Sequence, residues 1–280
     1  MHQILFTVPG LGVKVYGFGL MLTIAMLAAM NLAAWRARRE KLDGDQVFDL
    51  AIWVLIGGLL GARLFFVIEY WRSFEGIFDI FKIWNGGIVL YGSIIGGTIT
   101  LMIYRRLRPF PLRPMLDAIA PALALGIAFG RIGCFLNGCC YGDFCQLPWA
   151  VTFPAKTAPW INHVDHHLIS ATAERSLAIH PTQIYSSIDG FLILALLTAY
   201  YPLRRRDGEV VALFLITYPI TRFLIEQLRN DEVGFIGGLT ISQALSAVFF
   251  VFGLAYWAYL RTLPPVRFAD TATVVAPPVA

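Results

Sequence analysis

Residues Val47–Tyr70 read VFDLAIWVLIGGLLGARLFFVIEY. The run is 24 residues long, and no charge falls between Asp49 and Arg63. A helix rises about 1.5 Å per residue, so about 20 apolar residues cross a bilayer. In hydrocarbon each backbone amide and carbonyl must be satisfied within the segment, which a helix achieves. The run therefore predicts a transmembrane helix. Six further segments have the same character: Val15–Trp35, Ile88–Tyr104, Met115–Leu136, Thr182–Tyr201, Val210–Leu228 and Leu239–Leu260. The expected fold is an all-α integral membrane protein, a bundle of about seven transmembrane helices. A single polytopic domain is expected over residues 1–263, with a long loop at about 137–181. The stretch 264–280, rich in Pro, Ala and Thr, reads as a disordered tail.

Composition points the same way. Of 280 residues, 58% are hydrophobic and 14% charged, against roughly 45–50% and about 25% in soluble domains. Mean hydropathy is +0.67. Too few charged groups are present to cover a soluble core of this size, which excludes a cytosolic globular enzyme, a disordered chain and a nucleic-acid binder. The four cysteines lie within twelve residues, too local for a disulfide scaffold. The N-terminus lacks a basic region followed by a small-residue cleavage site, so no removable signal peptide is expected.

Basic residues orient the bundle. Arg36, Arg38, Arg39 and Lys41 follow the first span; Arg105, Arg106, Arg108 and Arg113 follow the third. Arg204, Arg205 and Arg206 follow the fifth, and Arg261 and Arg267 the last. These thirteen face six on the opposite side: Lys14, Arg72, Lys82, Lys156, Arg175 and Arg229. The N-terminus and the 137–181 loop are expected outside, and the C-terminal tail in the cytoplasm.

Arg63, Arg131 and Arg222 fall inside spans two, four and six. An arginine at a helix centre costs about 2.5–3.5 kcal/mol on insertion scales, so each requires a reason. All three lie in the outward half of spans that run from inside to outside, with Glu69 and Glu226 at similar depth. A single arginine could snorkel to the interface. Three at one depth, near lipid headgroups, suggest phosphate binding, because the guanidinium fork matches phosphate oxygens. Gly57/Gly61, Gly92/Gly96 and Gly126/Gly130 sit four apart, a spacing that lets helices approach closely.

The densest motif is Gly130-Arg131-Ile132-Gly133-Cys134-Phe135-Leu136-Asn137-Gly138-Cys139-Cys140-Tyr141-Gly142. With it come Tyr16-Gly17, Gly61-Ala62-Arg63, Trp84-Asn85-Gly86-Gly87, Tyr91-Gly92-Ser93-Ile94-Ile95-Gly96 and His180-Pro181-Thr182-Gln183-Ile184-Tyr185. Tyr218, Arg222, Glu226 and Arg229 follow on span six. In this order, over nearly the whole chain, the motifs resemble the bacterial prolipoprotein diacylglyceryl transferases. The chain departs from the family's commoner form at Cys134, where that form has Asn, at Cys139, where it has Glu, and at Tyr91, where it has His.

The resemblance implies a multi-pass enzyme of the bacterial inner membrane. It would move the diacylglyceryl group of phosphatidylglycerol onto the thiol of the lipobox cysteine in a prolipoprotein, releasing glycerol phosphate and forming a thioether. Arg131 and Arg222 would hold the phosphate, since fixed guanidinium groups in a low-dielectric site stabilise the charge that develops on it. Tyr91 would position the reacting groups by hydrogen bonding, thiolate formation would be driven mainly by the field of the arginines, and His180 would be the reserve general base. Tyr16, Arg63, Asn137, Gly142, Tyr218 and Glu226 complete the expected phosphatidylglycerol site. An ion pair from Glu226, one helical turn on, would orient Arg222. The substrate brings its own thiol, so no cysteine of the chain is the expected nucleophile. Cys134, Cys139, Cys140 and Cys145 are expected to be structural; they lie at the outward face, where disulfides can persist. No cofactor is needed for such a displacement. No metal site is expected either, because the cysteines lack a C-x-x-C pair and the His163/His166/His167 spacing matches no ligand set. Two rival classes remain. A transporter of an anionic solute would use the same arginines and give flux without a covalent product, but no related halves are visible. A redox protein would use the cysteines and show activity that tracks thiol titration.

Overall fold

The computed structural model describes residues 4–7, 12, 14–71, 76, 87, 89–229, 234–236 and 238–271. Helices cover all seven apolar segments: α1 (Gly17–Arg39), α2 (Gly44–Glu69), α3 (Leu90–Leu107), α4 (Leu112–Asn137), α6 (Thr182–Tyr200), α7 (Glu209–Glu226) and α8 (Ile241–Arg261). Five are long and apolar enough to cross a membrane: α1, α2, α4, α6 with its 3-10 extension, and α8. The other two fall short for visible reasons. Each has 18 residues; α3 ends in Arg105 and Arg106, and α7 carries Glu209, Arg222 and Glu226. The chain is thus a multi-pass, all-α membrane protein. Large apolar side chains such as Leu60, Ile68, Leu192 and Val251 stand exposed along these helices, a placement that lipid rather than water accommodates.

Short elements were not legible in the hydropathy. The antiparallel hairpin β1 (Ile4–Thr7)/β2 (Lys14–Tyr16) precedes α1, and β3 (Gly234–Ile236)/β4 (Leu239–Thr240) precedes α8. The helix α5 (Ala158–Asp165) lies in the long loop, and α9 (Phe268–Thr271) follows α8. Residues 272–280 of the expected tail, and Trp84, Asn85, Gly86, Arg72 and Lys82, lie outside the described residues.

Two compact units are distinguished, one of residues 34–115 and one of residues 1–33 with 116–280. In the first, α2 packs on α3. Asp43 caps α2, its carboxylate accepting from the Asp45 amide at 2.9 Å. The glycine spacing decides the helix contact. A Cβ on Gly61 would stand 2.3 Å from the Gly92 carbonyl oxygen, and one on Gly96 2.3 Å from that of Gly57. Only backbone fits there.

In the second unit, the α4–α6–α7 core is built from Ala120, Ala124, Ile193, Leu197, Tyr201, Val210 and Phe214. The Gly126/Gly130 pair does not act as its spacing suggests: a Cβ on Gly126 meets only Ala29 at 3.6 Å, and one on Gly130 meets nothing within 4 Å. The close approach to α4 is made by Gly190 of α6, where a Cβ would stand 3.0 Å from Ala128. The α6–α7 turn is tied to α4 by a fully buried carboxylate. Asp117 accepts from the Gly208 and Val211 amides at 2.7 and 2.9 Å, and the Arg204 guanidinium lies 3.6 Å away. α7 packs on α8, which opens with a capping box between Thr240 and Gln243.

Candidate active site

The C-terminal turn of α4 carries Arg131, Cys134 and Asn137. Positions 131 and 134 are three apart, so their side chains share one helix face. Arg131 lies within electrostatic reach of Tyr218, Cys140, Cys134 and Arg229. The helix ends where Gly138 turns left-handed at φ +76°, its amide donating to the Cys134 carbonyl at 2.9 Å. Cys140 is also left-handed, at φ +57°, which is uncommon for a residue with a side chain. Two side chains from the first turn of α6 hold that loop. Gln183 donates to the Cys139 carbonyl at 2.8 Å, and Thr182 to that of Cys140 at 2.9 Å. Both are buried.

From α7, Arg222 pairs with Glu226 one turn later, as its spacing leads one to expect, and donates to Ser242 of α8 at 3.1 Å. Glu226 is 2% exposed. Its carboxylate also faces Arg229 at 3.4 Å and accepts from Thr240 at 3.4 Å. Arg229, read in the sequence as an outer-loop charge and as the last member of the span-six motif but not as a site residue, thus joins Arg222 on Glu226 and lies within electrostatic reach of Arg131. Its pairing with Glu226 was visible in the Glu226-x-x-Arg229 spacing, because three residues complete about one turn. Tyr218 stacks on Phe214, centroids 5.4 Å apart.

Gly142 explains how the loop reaches this network. Its amide donates to the His180 carbonyl at 3.1 Å, and a Cβ there would stand 2.6 Å from His180 Cβ and 2.7 Å from the Leu228 carbonyl oxygen. The Asp143 amide donates to Leu228 at 2.8 Å. His180 Nδ1 lies 3.4 Å from the Tyr185 hydroxyl, which accepts from the Trp149 indole at 2.7 Å. Trp149 carried no sequence signal. Tyr16 ends β2 and is exposed. The adjacent Gly17 faces Leu136, the neighbour of Asn137; a Cβ on Gly17 would stand 3.1 Å from the Leu136 side chain.

All four cysteines are free thiols. The Sγ atoms of Cys134, Cys139 and Cys140 lie within 4.8 Å of one another and hydrogen-bond among themselves, with the Asn137 side chain bonded to Cys139. The Cys140 thiol is pulled well below its ordinary value, first by the hydrogen bonds from Cys134 and Cys139 and then by the charges of Arg131 and Arg229. Arg222 and Arg229 flank the Glu226 carboxylate, with Arg131 within electrostatic reach of Arg229, and guanidinium groups gathered in this way suit a phosphodiester, whose oxygens match their fork of donors.

Arg63 and Tyr91 belong to the other unit. Arg63 is 8% exposed, donates to the Gly87 carbonyl at 3.1 Å and covers the Phe66 ring at 5.3 Å. Tyr91 is half-buried in the first turn of α3.

The comparisons with known proteins agree with one another. The model of the family "Prolipoprotein diacylglyceryl transferase" matches residues 3–259. A phosphatidylglycerol–prolipoprotein diacylglyceryl transferase of Clostridium tetani is 36% identical over 254 residues, covering 91% of this chain and 96% of its own. The enzyme of that name from Nostoc is 33% identical over 275 residues, with 93% of each chain covered. That from Acaryochloris marina is 30% identical over 284 residues, covering 96% of this chain and 99% of its own. A match of this extent, on a chain whose Arg222 and Arg229 converge on one buried carboxylate, shows that the protein belongs to the prolipoprotein diacylglyceryl transferase family.

Proposed function

We propose that this chain transfers the diacylglyceryl group of phosphatidylglycerol to the thiol of a lipobox cysteine in prolipoproteins, at the outer face of the bacterial inner membrane. The observation that carries this reading is the gathering of Arg131, Arg222 and Arg229 around the C-terminal ends of α4 and α7. The buried Glu226 carboxylate pairs with Arg222 and Arg229, and Arg131 lies within electrostatic reach of Arg229. Arg131 and Arg222 grip the phosphate. The substrate thiolate attacks the glyceryl methylene, the C–O bond breaks, and its electron pair leaves on the phosphate oxygen, where the guanidinium groups stabilise it. Glu226 and Ser242 keep Arg222 from swinging toward water, and Tyr218, Asn137, Gly142 and Tyr16 shape the lipid site. Arg63 and Tyr91 are assigned on their motifs alone, to lipid contact and to positioning of the thiol. His180, oriented by Tyr185, is the base that takes the thiol proton.

The test is transfer from labelled phosphatidylglycerol to a lipobox peptide by the full-length protein in lipid nanodiscs. Arg131→Ala should reduce the rate by about 10²-fold or more. Arg131→Lys should do nearly as much damage, because an ammonium does not reproduce a bidentate fork. Near-normal rates in both variants, at normal protein level, remove Arg131 from the mechanism. Flux of a soluble anion without a labelled product would favour a transporter instead.

A further inference from the structure

The sequence spacing of the cysteines suggested no ligand set, yet the fold brings three of them together. Cys134 comes from the last turn of α4, and Cys139 and Cys140 from the loop after it. Around a tetrahedral zinc with Zn–S near 2.3 Å, sulfurs stand about 3.8 Å apart. The three Sγ atoms, all within 4.8 Å of one another, need only small rotations to reach that spacing.

Three further observations suit a metal. The loop is held for it: the buried Gln183 and Thr182 fix the Cys139 and Cys140 carbonyls, and Cys140 keeps a left-handed backbone. Such strain persists only where surroundings over-determine it, and it clusters at functional sites. The surroundings tolerate the charge: three thiolates around a divalent ion carry one net negative charge, and the cationic Arg131 and Arg229 lie near Cys140. The ligand count is also informative. Structural zinc sites have four protein ligands, whereas three leave a position open. The fourth cysteine, Cys145, is buried elsewhere in the loop, its amide bonded to Ala178 at 3.0 Å.

We propose that Cys134, Cys139 and Cys140 bind a zinc ion whose open position takes the thiol of the lipobox cysteine. This rests on the diacylglyceryl transfer reading and adds to it the means by which the thiol is activated. Zinc binding releases the protons of the three thiols. The substrate thiol displaces a water from the fourth position and loses its proton to the base. Zinc deprotonates a coordinating thiol while leaving its sulfur lone pair available. That sulfur attacks the glyceryl methylene of a lipid whose phosphate is held by Arg131, one turn from Cys134. The C–S bond forms and the C–O bond breaks, with no change of oxidation state. The thioether product is a poor zinc ligand and leaves.

The experiment uses the full-length protein in detergent, first for metal content and then for cobalt substitution. The expected content is about one zinc per chain, falling about fivefold or more in Cys139→Ser and in Cys140→Ser and unchanged in Cys145→Ser. Cys139→His, which keeps a ligand, should retain metal if Cys139→Ser merely misfolds. Cobalt-loaded protein should show thiolate-to-metal charge transfer. Its visible bands should shift on adding a lipobox peptide and stay unchanged with a peptide carrying Ser in place of Cys. Removing zinc should lower transfer at least about tenfold, and zinc should restore it. Absence of zinc, transfer unaffected by its removal, or a disulfide among these three cysteines in active protein each overturns the proposal. If cobalt bands respond to the peptide thiol but no lipid is ever transferred, the metal site stands and the diacylglyceryl reading fails.

Discussion

Glu226 shows why single residues matter in this molecule. One buried carboxylate holds both Arg222 and Arg229, and breaking such a pair leaves uncompensated charge. In the proposed reaction His180 is assigned the role of base and Tyr91 that of a positioning group. His180 is fixed by Tyr185 at 3.4 Å and so presents a steady ring to the loop. His180→Ala should lower transfer about 10²-fold near neutral pH, as loss of a general base does. The loss should shrink above about pH 8.5, where a free thiol ionises unaided. Tyr91→Phe should cost less than about tenfold, because a positioning hydrogen bond contributes only about 1 kcal/mol. Rate–pH profiles of both variants check this. Abolished transfer in Tyr91→Phe at every pH, with His180→Ala unaffected, would reverse the two roles.

At the scale of elements, two helix pairs give opposite expectations for similar glycines. Gly61→Ala forces a Cβ against the Gly92 carbonyl oxygen, and overpacking of this kind destabilises by about 1–3 kcal/mol. Gly130→Ala meets nothing within 4 Å and should be neutral or stabilising by up to about 1 kcal/mol, the helix-propensity gain over glycine. Thermal unfolding of the two variants side by side decides it; equal destabilisation would mean that α2 and α3 do not meet through their glycines. The 137–181 loop carries a pH response. His163 is buried, accepts from the Leu177 amide at 3.2 Å and stacks on Phe144 at 5.6 Å. Burial pushes its imidazole below the ordinary value, with the charge of Asp143 opposing. A histidine kept neutral in the folded loop adds stability that is full above about pH 6.5 and is lost as pH falls below it, when the unfolded loop gains a proton that the folded one refuses. The protection factors of the α5 amides, which remove the intrinsic pH dependence of exchange, should therefore fall between about pH 7.5 and 5, and His163→Phe should abolish the difference. Unchanged protection in the native loop would show that His163 is not the titrating group.

For the whole molecule, the basic residues predict an N-terminus outside, seven crossings and a cytoplasmic C-terminus. Reporter fusions at Arg106 and at Lys156 should read opposite sides of the membrane. Two cytoplasmic readings would refute the topology and, with it, an outward-facing arginine network. The two spans that charge shortens, α3 and α7, are the places to look first. Arg222 and Glu226 neutralise one another on α7, which lowers the insertion cost that the isolated residues would carry.

Length and apolarity of the seven segments are local properties, and a bilayer reads them locally, so the helices, their approximate ends and the membrane class were legible in the chain itself. So was the Arg222–Glu226 pair, because four residues make one turn. Motif order was enough to identify the family and to bring Arg131, Asn137, Gly142, His180 and Tyr218 to notice. Other features depend on contacts between residues far apart in sequence, which no spacing encodes. Asp117 meets Gly208, and Gly190 rather than Gly126 lets α6 approach α4. Arg229 reaches Arg131 because Gly142 lets the α4 loop lie against Leu228. The three cysteines face one another only because Gln183 and Thr182, more than forty residues on, hold the loop in a left-handed turn that the local sequence would not select by itself.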